Sequence, residues 1–76
     1  MPKLNSLKAR EVVRALLRAD FFIHHQKGSH IHLRHGLKPY LRVTIPYHTK
    51  FDLPPSVVRS ILNQAEMSVD EFMEFL

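Results

Sequence analysis

The apolar residues of this chain change their spacing twice, and this limits the possible folds more than any other feature. In residues 6–20 they recur at every third or fourth position, which predicts an amphipathic helix. In residues 21–45 they alternate with polar residues, which predicts strands with one buried face. Helical spacing returns after Pro54 and Pro55. These residues are consistent with a helix start, since proline suits the first turn of a helix. With 76 residues in all there is room for a single domain, which we expect to span residues 1–76.

The helix ends are indicated by residues that can satisfy free backbone groups. Asn5 or Ser6 is expected to cap the first helix, because either side chain can accept a hydrogen bond from a free amide. Near the end of the chain, Ser68 and Glu71 have the spacing of a capping box. We therefore expect a second helix after Pro55 and a short third helix after Ser68.

The alternating region divides into three strands at two turn signals, Lys27-Gly28 and Gly36-Leu37-Lys38-Pro39. Short connections of this kind favour an antiparallel meander with one apolar and one polar face. The residues predicted on the polar face are His30, His32, Arg34, Tyr40, Arg42 and Thr44. The predicted fold class is α+β with the order α-β-β-β-α and a short C-terminal helix. In this arrangement the helices cover one face of a three-stranded antiparallel sheet.

Charge is divided unevenly along the chain. Residues 1–50 contain ten Lys and Arg against two carboxylates, a balance of +8, whereas residues 51–76 contain one Arg against five carboxylates, a balance of −4; together they give the net +4. All six histidines lie in the basic part. A basic, His-rich face favours a polyanionic partner such as nucleic acid, although a basic surface can also serve solubility alone.

Composition also excludes some classes of protein. A chain of this length cannot form a doubly wound nucleotide-binding fold or a barrel. It contains no cysteine, so disulfides and thiolate zinc sites are excluded. No apolar run has the length of a membrane span and no signal-peptide core precedes the first helix, so we expect a cytoplasmic protein.

The strongest candidate for chemistry is Lys27-Gly28-Ser29-His30, at the start of the second strand. Histidine is suited to proton transfer near neutral pH, and the serine and lysine can contact phosphate. Cleavage of RNA requires a base that removes the proton from the ribose 2′-OH and cations that stabilise the charge developing on the phosphate. An exposed histidine with no such role fits the same spacing.

Two other histidine arrangements have alternative interpretations. His48, after Pro46-Tyr47, can assist at the same site or merely order its loop. His30 and His32, two positions apart on one strand face, can share a metal ion with His24. The lack of cysteine and the cationic surroundings argue against the metal, and we expect neither a metal site nor a cofactor.

Several segments occur in an order that points to a known family. These are an opening helix, Gly28-Ser29-His30 followed by Leu33 and His35, Val43-Thr44-Ile45-Pro46-Tyr47-His48, Arg59-Ser60-Ile61-Leu62-Asn63-Gln64-Ala65, and residues 68–76. In this order and with these gaps, almost the whole chain resembles the HicA toxins of bacterial and archaeal toxin–antitoxin pairs.

The resemblance implies a fold like that of double-stranded-RNA-binding domains. It also implies the toxin of a type II toxin–antitoxin system, an endoribonuclease (mRNA interferase) that cleaves mRNA and is neutralised by a HicB-type antitoxin. His30 would be the catalytic histidine. Lys27, Ser29 and Arg34 are then expected to contact RNA, with His48 as a helper. The alternatives are a non-catalytic RNA-binding module that uses the same basic sheet face and a module that docks a protein partner.

Two positions depart from what that family and fold lead one to expect. The family often has glycine where Asp20 stands, although aspartate tolerates a left-handed backbone better than most residues. The second helix begins at Leu53-Pro54-Pro55-Ser56 rather than with the lysines of true duplex binders. A shared fold therefore does not imply binding of duplex RNA.

Overall fold

A computed structural model describes residues 4–48 and 50–76 of the chain. The elements follow in the order β1 (Leu7–Lys8), α1 (Ala9–Arg18), β2 (Phe21–Lys27), β3 (His30–His35), β4 (Arg42–Pro46), β5 (Asp52–Leu53), α2 (Pro55–Ala65) and α3 (Val69–Glu74). The predicted α+β class, with a three-stranded antiparallel sheet and the α-β-β-β-α order of a double-stranded-RNA-binding domain, is confirmed. Among the described residues, no helix is long and apolar enough to cross a membrane.

The sheet is a meander in which β3 lies between β2 and β4. Strand β4 begins at Arg42, two residues later than the alternation predicted, because Leu41 donates its amide to the Lys38 carbonyl in a turn (2.9 Å). Tyr40 therefore lies in this turn, 69% exposed, and not on the polar face of the sheet.

The start of α1 differs from the prediction. The helix begins at Ala9, with Lys8 at the N-cap and no side chain bonded to the free amides, so capping by Asn5 or Ser6 was wrong. Leu7 and Lys8 instead pair with Leu53 and Asp52 in a two-stranded sheet, and Lys8 Nζ lies 2.8 Å from Asp52 Oδ1. This long-range pairing keeps the backbone extended where local propensity alone favours a helix.

The hydrophobic core lies between one face of the sheet and the helices. Ile31 and Leu33 of β3 and Val43 and Ile45 of β4 point to this side, as their alternation predicted. They pack in one cluster with buried residues of the helices: Val12, Ala15 and Leu16 of α1, Val58, Ile61, Leu62 and Ala65 of α2, and Phe72 of α3. No buried residue in the described part of the chain is polar. The opposite, outer face of the sheet is left uncovered by the helices.

The closing helices are fixed by specific polar contacts. Ser68 accepts a hydrogen bond from the Glu71 amide and Glu71 accepts one from the Ser68 amide, which confirms the predicted capping box at the start of α3. The Gln64 side chain of α2 accepts a hydrogen bond from the Thr44 amide of β4 (3.0 Å). This contact covers part of a sheet edge that otherwise exposes free backbone groups.

Candidate functional site on the outer sheet face

The β2–β3 hairpin holds His30 opposite Lys27. Gly28 and Ser29 form the two-residue connection, and Lys27 and His30 are cross-strand partners. Gly28 has a φ of +58°, which glycine adopts without the steric cost that a Cβ brings. Directly opposite residues have Cβ atoms about 4.5–5.5 Å apart. The hairpin therefore places an exposed imidazole beside an exposed ammonium group.

The end of β4 closes against the same hairpin. Pro46 is the cross-strand partner of His30, and the Tyr47 amide donates a hydrogen bond to the Ser29 carbonyl. His48 follows at this end of the sheet, but its side chain lies on the α1 side, where it lines a pocket of about 90 Å³ with Lys8, Arg10 and Tyr47. Ser29 and His48 are thus brought to the same end of the sheet as Lys27 and His30.

A β-bulge at His24 determines which β2 side chains share the face of His30. The pairing register shifts between Ile23 and His25, so one extra residue is accommodated in β2 and the alternation after it is reversed. His25 consequently lies opposite His32, and Lys27 opposite His30. Without the bulge, both β2 side chains would point to the core side.

The middle of the outer face is occupied by two stacked imidazoles. The rings of His25 and His32 have centroids 4.3 Å apart and planes inclined by 18°. Thr44, the β4 partner of His32, has its Oγ1 3.1 Å from His32 Nδ1. The ring of His24 meets that of His25 edge to face at 5.2 Å.

The far row of the outer face contains two arginines and a phenylalanine. Arg34 pairs with Phe22 on one side and with Arg42 on the other. Arg34 is four residues from His30 along β3, a distance of about 13 Å at the rise of a strand. The predicted RNA contact Arg34 therefore shares the face of His30 but not its immediate surroundings.

His35, at the opposite end of β3 from His30, has a structural role. Its Nδ1 accepts hydrogen bonds from the amides of Leu37 and Lys38, both at 3.0 Å. Its ring contacts that of Phe21 edge to face, with centroids 4.8 Å apart. This imidazole orders the turn after β3.

Residues 21–48 contain four Lys and Arg, all six histidines and no carboxylate. The outer face is therefore cationic, which suits a phosphate-bearing ligand. In the part of the chain that the structure describes, no three His, Asp or Glu side chains lie close enough together to hold a metal ion. His24, His30 and His32, which were considered from sequence as shared metal ligands, do not come together. His32 stacks on His25 instead.

Sequence reasoning did not find His25. The strict alternation of β2 gave no reason to place His25 opposite His32, because that position depends on the bulge. Bulges are often marked by glycine, but residues 21–27 contain none, so no sequence signal for it was present.

The chain was also compared with known proteins. A family model described as the HicA toxin of bacterial toxin–antitoxin matches residues 9–67, which include α1, the whole three-stranded sheet and α2. No curated protein matches the sequence.

Proposed function

This chain belongs to the HicA toxin family of bacterial toxin–antitoxin systems, and on that premise we propose that it is an endoribonuclease that cleaves mRNA with His30. Membership of such a family implies an antitoxin partner. The observation that carries the proposal is the position of His30, exposed on a rigid strand and directly opposite Lys27.

The surroundings of His30 are suited to proton transfer. Among the described residues, no group forms a hydrogen bond with the His30 ring, whereas the rings of His32 and His35 both have such partners. A free imidazole on a regular strand is available to a substrate and needs little rearrangement to reach it.

The proposed reaction uses the RNA itself as the source of the nucleophile. The neutral His30 imidazole removes the proton from a ribose 2′-OH while that oxygen attacks the adjacent phosphorus. The bond from phosphorus to the 5′ oxygen of the next nucleotide breaks, and that oxygen takes a proton from solvent, since the His48 side chain lies on the α1 side. The products are a 2′,3′-cyclic phosphate and a free 5′-OH. Lys27 stabilises the negative charge that accumulates on the phosphate oxygens.

The antitoxin is proposed to be a HicB-type protein that covers the outer face. A free ribonuclease is harmful to the cell that produces it, and the cationic outer face is the surface that an inhibitor must block. An acidic or aromatic surface on the antitoxin would complement this face. Binding there would exclude RNA by occupying the same groups.

The decisive experiment compares wild type with His30→Ala on unstructured RNA. We expect wild type to produce 2′,3′-cyclic phosphate ends in the presence of EDTA and His30→Ala to produce them at least about 10²-fold more slowly. Arg14→Gln is a suitable control, because Arg14 is exposed on α1 and distant from the outer face. Normal cleavage by His30→Ala would contradict the assignment, and loss of wild-type cleavage with EDTA would favour metal-dependent chemistry.

The same assay separates the proposal from a non-catalytic RNA-binding module. Such a module binds RNA with strong salt dependence but gives no turnover. Binding without any cleavage product by wild type would therefore favour that alternative.

A further inference from the structure

Arg34 and Arg42 lie directly opposite each other on the outer face, an arrangement that destabilises a sheet because like charges repel. Neither arginine has a carboxylate partner among the described residues. The ion pair found there joins Lys8 and Asp52 instead. The Nε of Arg34 is buried and has no hydrogen-bond partner within the described part of the chain. Two neighbouring guanidinium groups without a counter-ion are suited to binding phosphate oxygens.

The stacked histidines occupy the next row of the same groove. His25, His32, Arg34, Arg42 and Thr44 all line this groove, whose volume is about 350 Å³. Imidazole rings are among the side chains on which unpaired bases stack. Because His25 is exposed, a base from solvent can reach this pair.

We infer that the outer face binds single-stranded RNA as a track of three rows, an inference that rests on the proposed function. A backbone phosphate lies at Arg34 and Arg42, a base stacks on His25 and His32, and the reacting phosphate lies at His30. Alternate residues of a strand are about 6.6 Å apart, so the three rows are evenly spaced along β3. The strand must be single, because bases within a duplex stack on one another and cannot reach the imidazoles.

Binding can be measured separately from cleavage with a short, fluorescently labelled single strand of 2′-O-methyl RNA, which lacks the 2′-OH nucleophile. Its affinity for wild type, Arg42→Gln, His25→Ala and the control Arg14→Gln is measured at pH 8 over a range of salt concentrations. Arg14→Gln removes the same charge as Arg42→Gln, but from the exposed side of α1.

We expect substitutions in the arginine row and in the histidine row to change RNA binding differently. Arg42→Gln should weaken binding about 10-fold and should make the slope of log K against log salt about 0.7 less steep, as expected for the loss of one phosphate contact to a single strand. His25→Ala should weaken binding about 5-fold by loss of stacking and leave the slope unchanged. Arg14→Gln should reproduce neither effect, and unlabelled duplex of the same sequence should compete poorly.

Equal effects of Arg42→Gln and Arg14→Gln would overturn the track, as would unchanged affinity of His25→Ala or stronger competition by the duplex. Failure of wild type to bind the strand at about 0.15 M salt would also overturn it and would assign the face to an acidic protein instead. Cleavage of unmodified RNA by wild type is measured in parallel. If wild type binds the strand specifically but does not cleave RNA, the proposed function is wrong and the track is retained. If wild type cleaves RNA but Arg42→Gln and Arg14→Gln weaken binding equally, the track is wrong and the proposed function is retained.

Discussion

The two ends of strand β3 each carry a histidine, and the two side chains have opposite surroundings. His35 accepts two backbone amides at Nδ1 and packs against the Phe21 ring. His30 is exposed, lies opposite Lys27, and has no hydrogen-bond partner for its ring in the described part of the chain. One imidazole is committed to the fold, and the other is available to a ligand.

The difference arises from the faces on which the two side chains lie. They are separated by five positions, an odd number, so they point to opposite sides of the sheet. His35 pairs with buried Phe21 at the core side, where its ring contacts that of Phe21 and its Nδ1 accepts the amides of the following turn. His30 points to the outer face, which the helices leave uncovered. Stability and function can therefore be tested separately within one strand.

The largest expected effect is that of His30→Ala on cleavage. Removal of a general base costs about 10²- to 10⁴-fold in rate. The free energy of unfolding should change by less than about 0.5 kcal/mol, since the side chain is exposed and no described group depends on it. Single-turnover cleavage and urea denaturation of the same preparation test both expectations. A marked loss of stability would show that His30, like His35, is structural.

His35→Ala should have the converse effect. We expect a loss of about 2 kcal/mol in the free energy of unfolding, because two amides lose an acceptor in an exposed turn and Phe21 loses an aromatic contact. His35→Asn should recover part of this loss, because its side-chain oxygen can accept a nearby amide. Cleavage per folded molecule should be unchanged in both variants. Equal stability of the alanine variant and wild type would refute the structural role.

Two lysines, one near each end of β3, test whether a local positive charge beside the histidine affects cleavage. Lys27→Gln removes the cation opposite His30 and should slow cleavage about 10-fold, equivalent to about 1.4 kcal/mol in the barrier. Lys38→Gln removes the same charge from the turn next to His35 and should have a much smaller effect. The ratio of the two initial rates at fixed ionic strength is the measurement. Equal slowing would mean that only the overall positive field contributes.

The sequence was sufficient for those parts of the fold that depend on local patterns. Alternation in β3 identified Ile31 and Leu33 as core residues, and the spacing of Ser68 and Glu71 identified a capping box that the structure contains. The catalytic assignment of His30 remains a prediction. Its position beside Lys27 follows from a two-residue hairpin, which the glycine signalled.

The parts that sequence could not supply depend on long-range contacts. The pairing of Leu7 with Leu53 moved the start of α1 to Ala9, and neither partner carries a local signal of that pairing. The bulge at His24 placed His25 on the outer face. In both cases tertiary pairing decided a conformation that local propensity left open.

The smallest expected effects concern the glycines of the two turns that flank β3. Gly28 has a positive φ, and a Cβ there would meet nothing within 4 Å, whereas a Cβ on Gly36 would lie 3.2 Å from the Asp20 carbonyl oxygen. Gly28→Ala should cost about 1 kcal/mol in the free energy of unfolding through backbone strain, and Gly36→Ala less, because a small shift of the neighbouring backbone relieves the contact.

Substitution by asparagine distinguishes backbone strain, the expected cause at Gly28, from the Cβ contact, the expected cause at Gly36. Asparagine tolerates the left-handed region better than alanine does, so Gly28→Asn should be more stable than Gly28→Ala. At Gly36 the cost comes from the Cβ itself, which both residues carry, so Gly36→Asn should bring no recovery over Gly36→Ala. Urea denaturation of the four variants measures this. If asparagine restored stability at Gly36 but not at Gly28, backbone strain would be the cause at Gly36 and not at Gly28. The hairpin that holds His30 opposite Lys27 would then not depend on the left-handed backbone of Gly28.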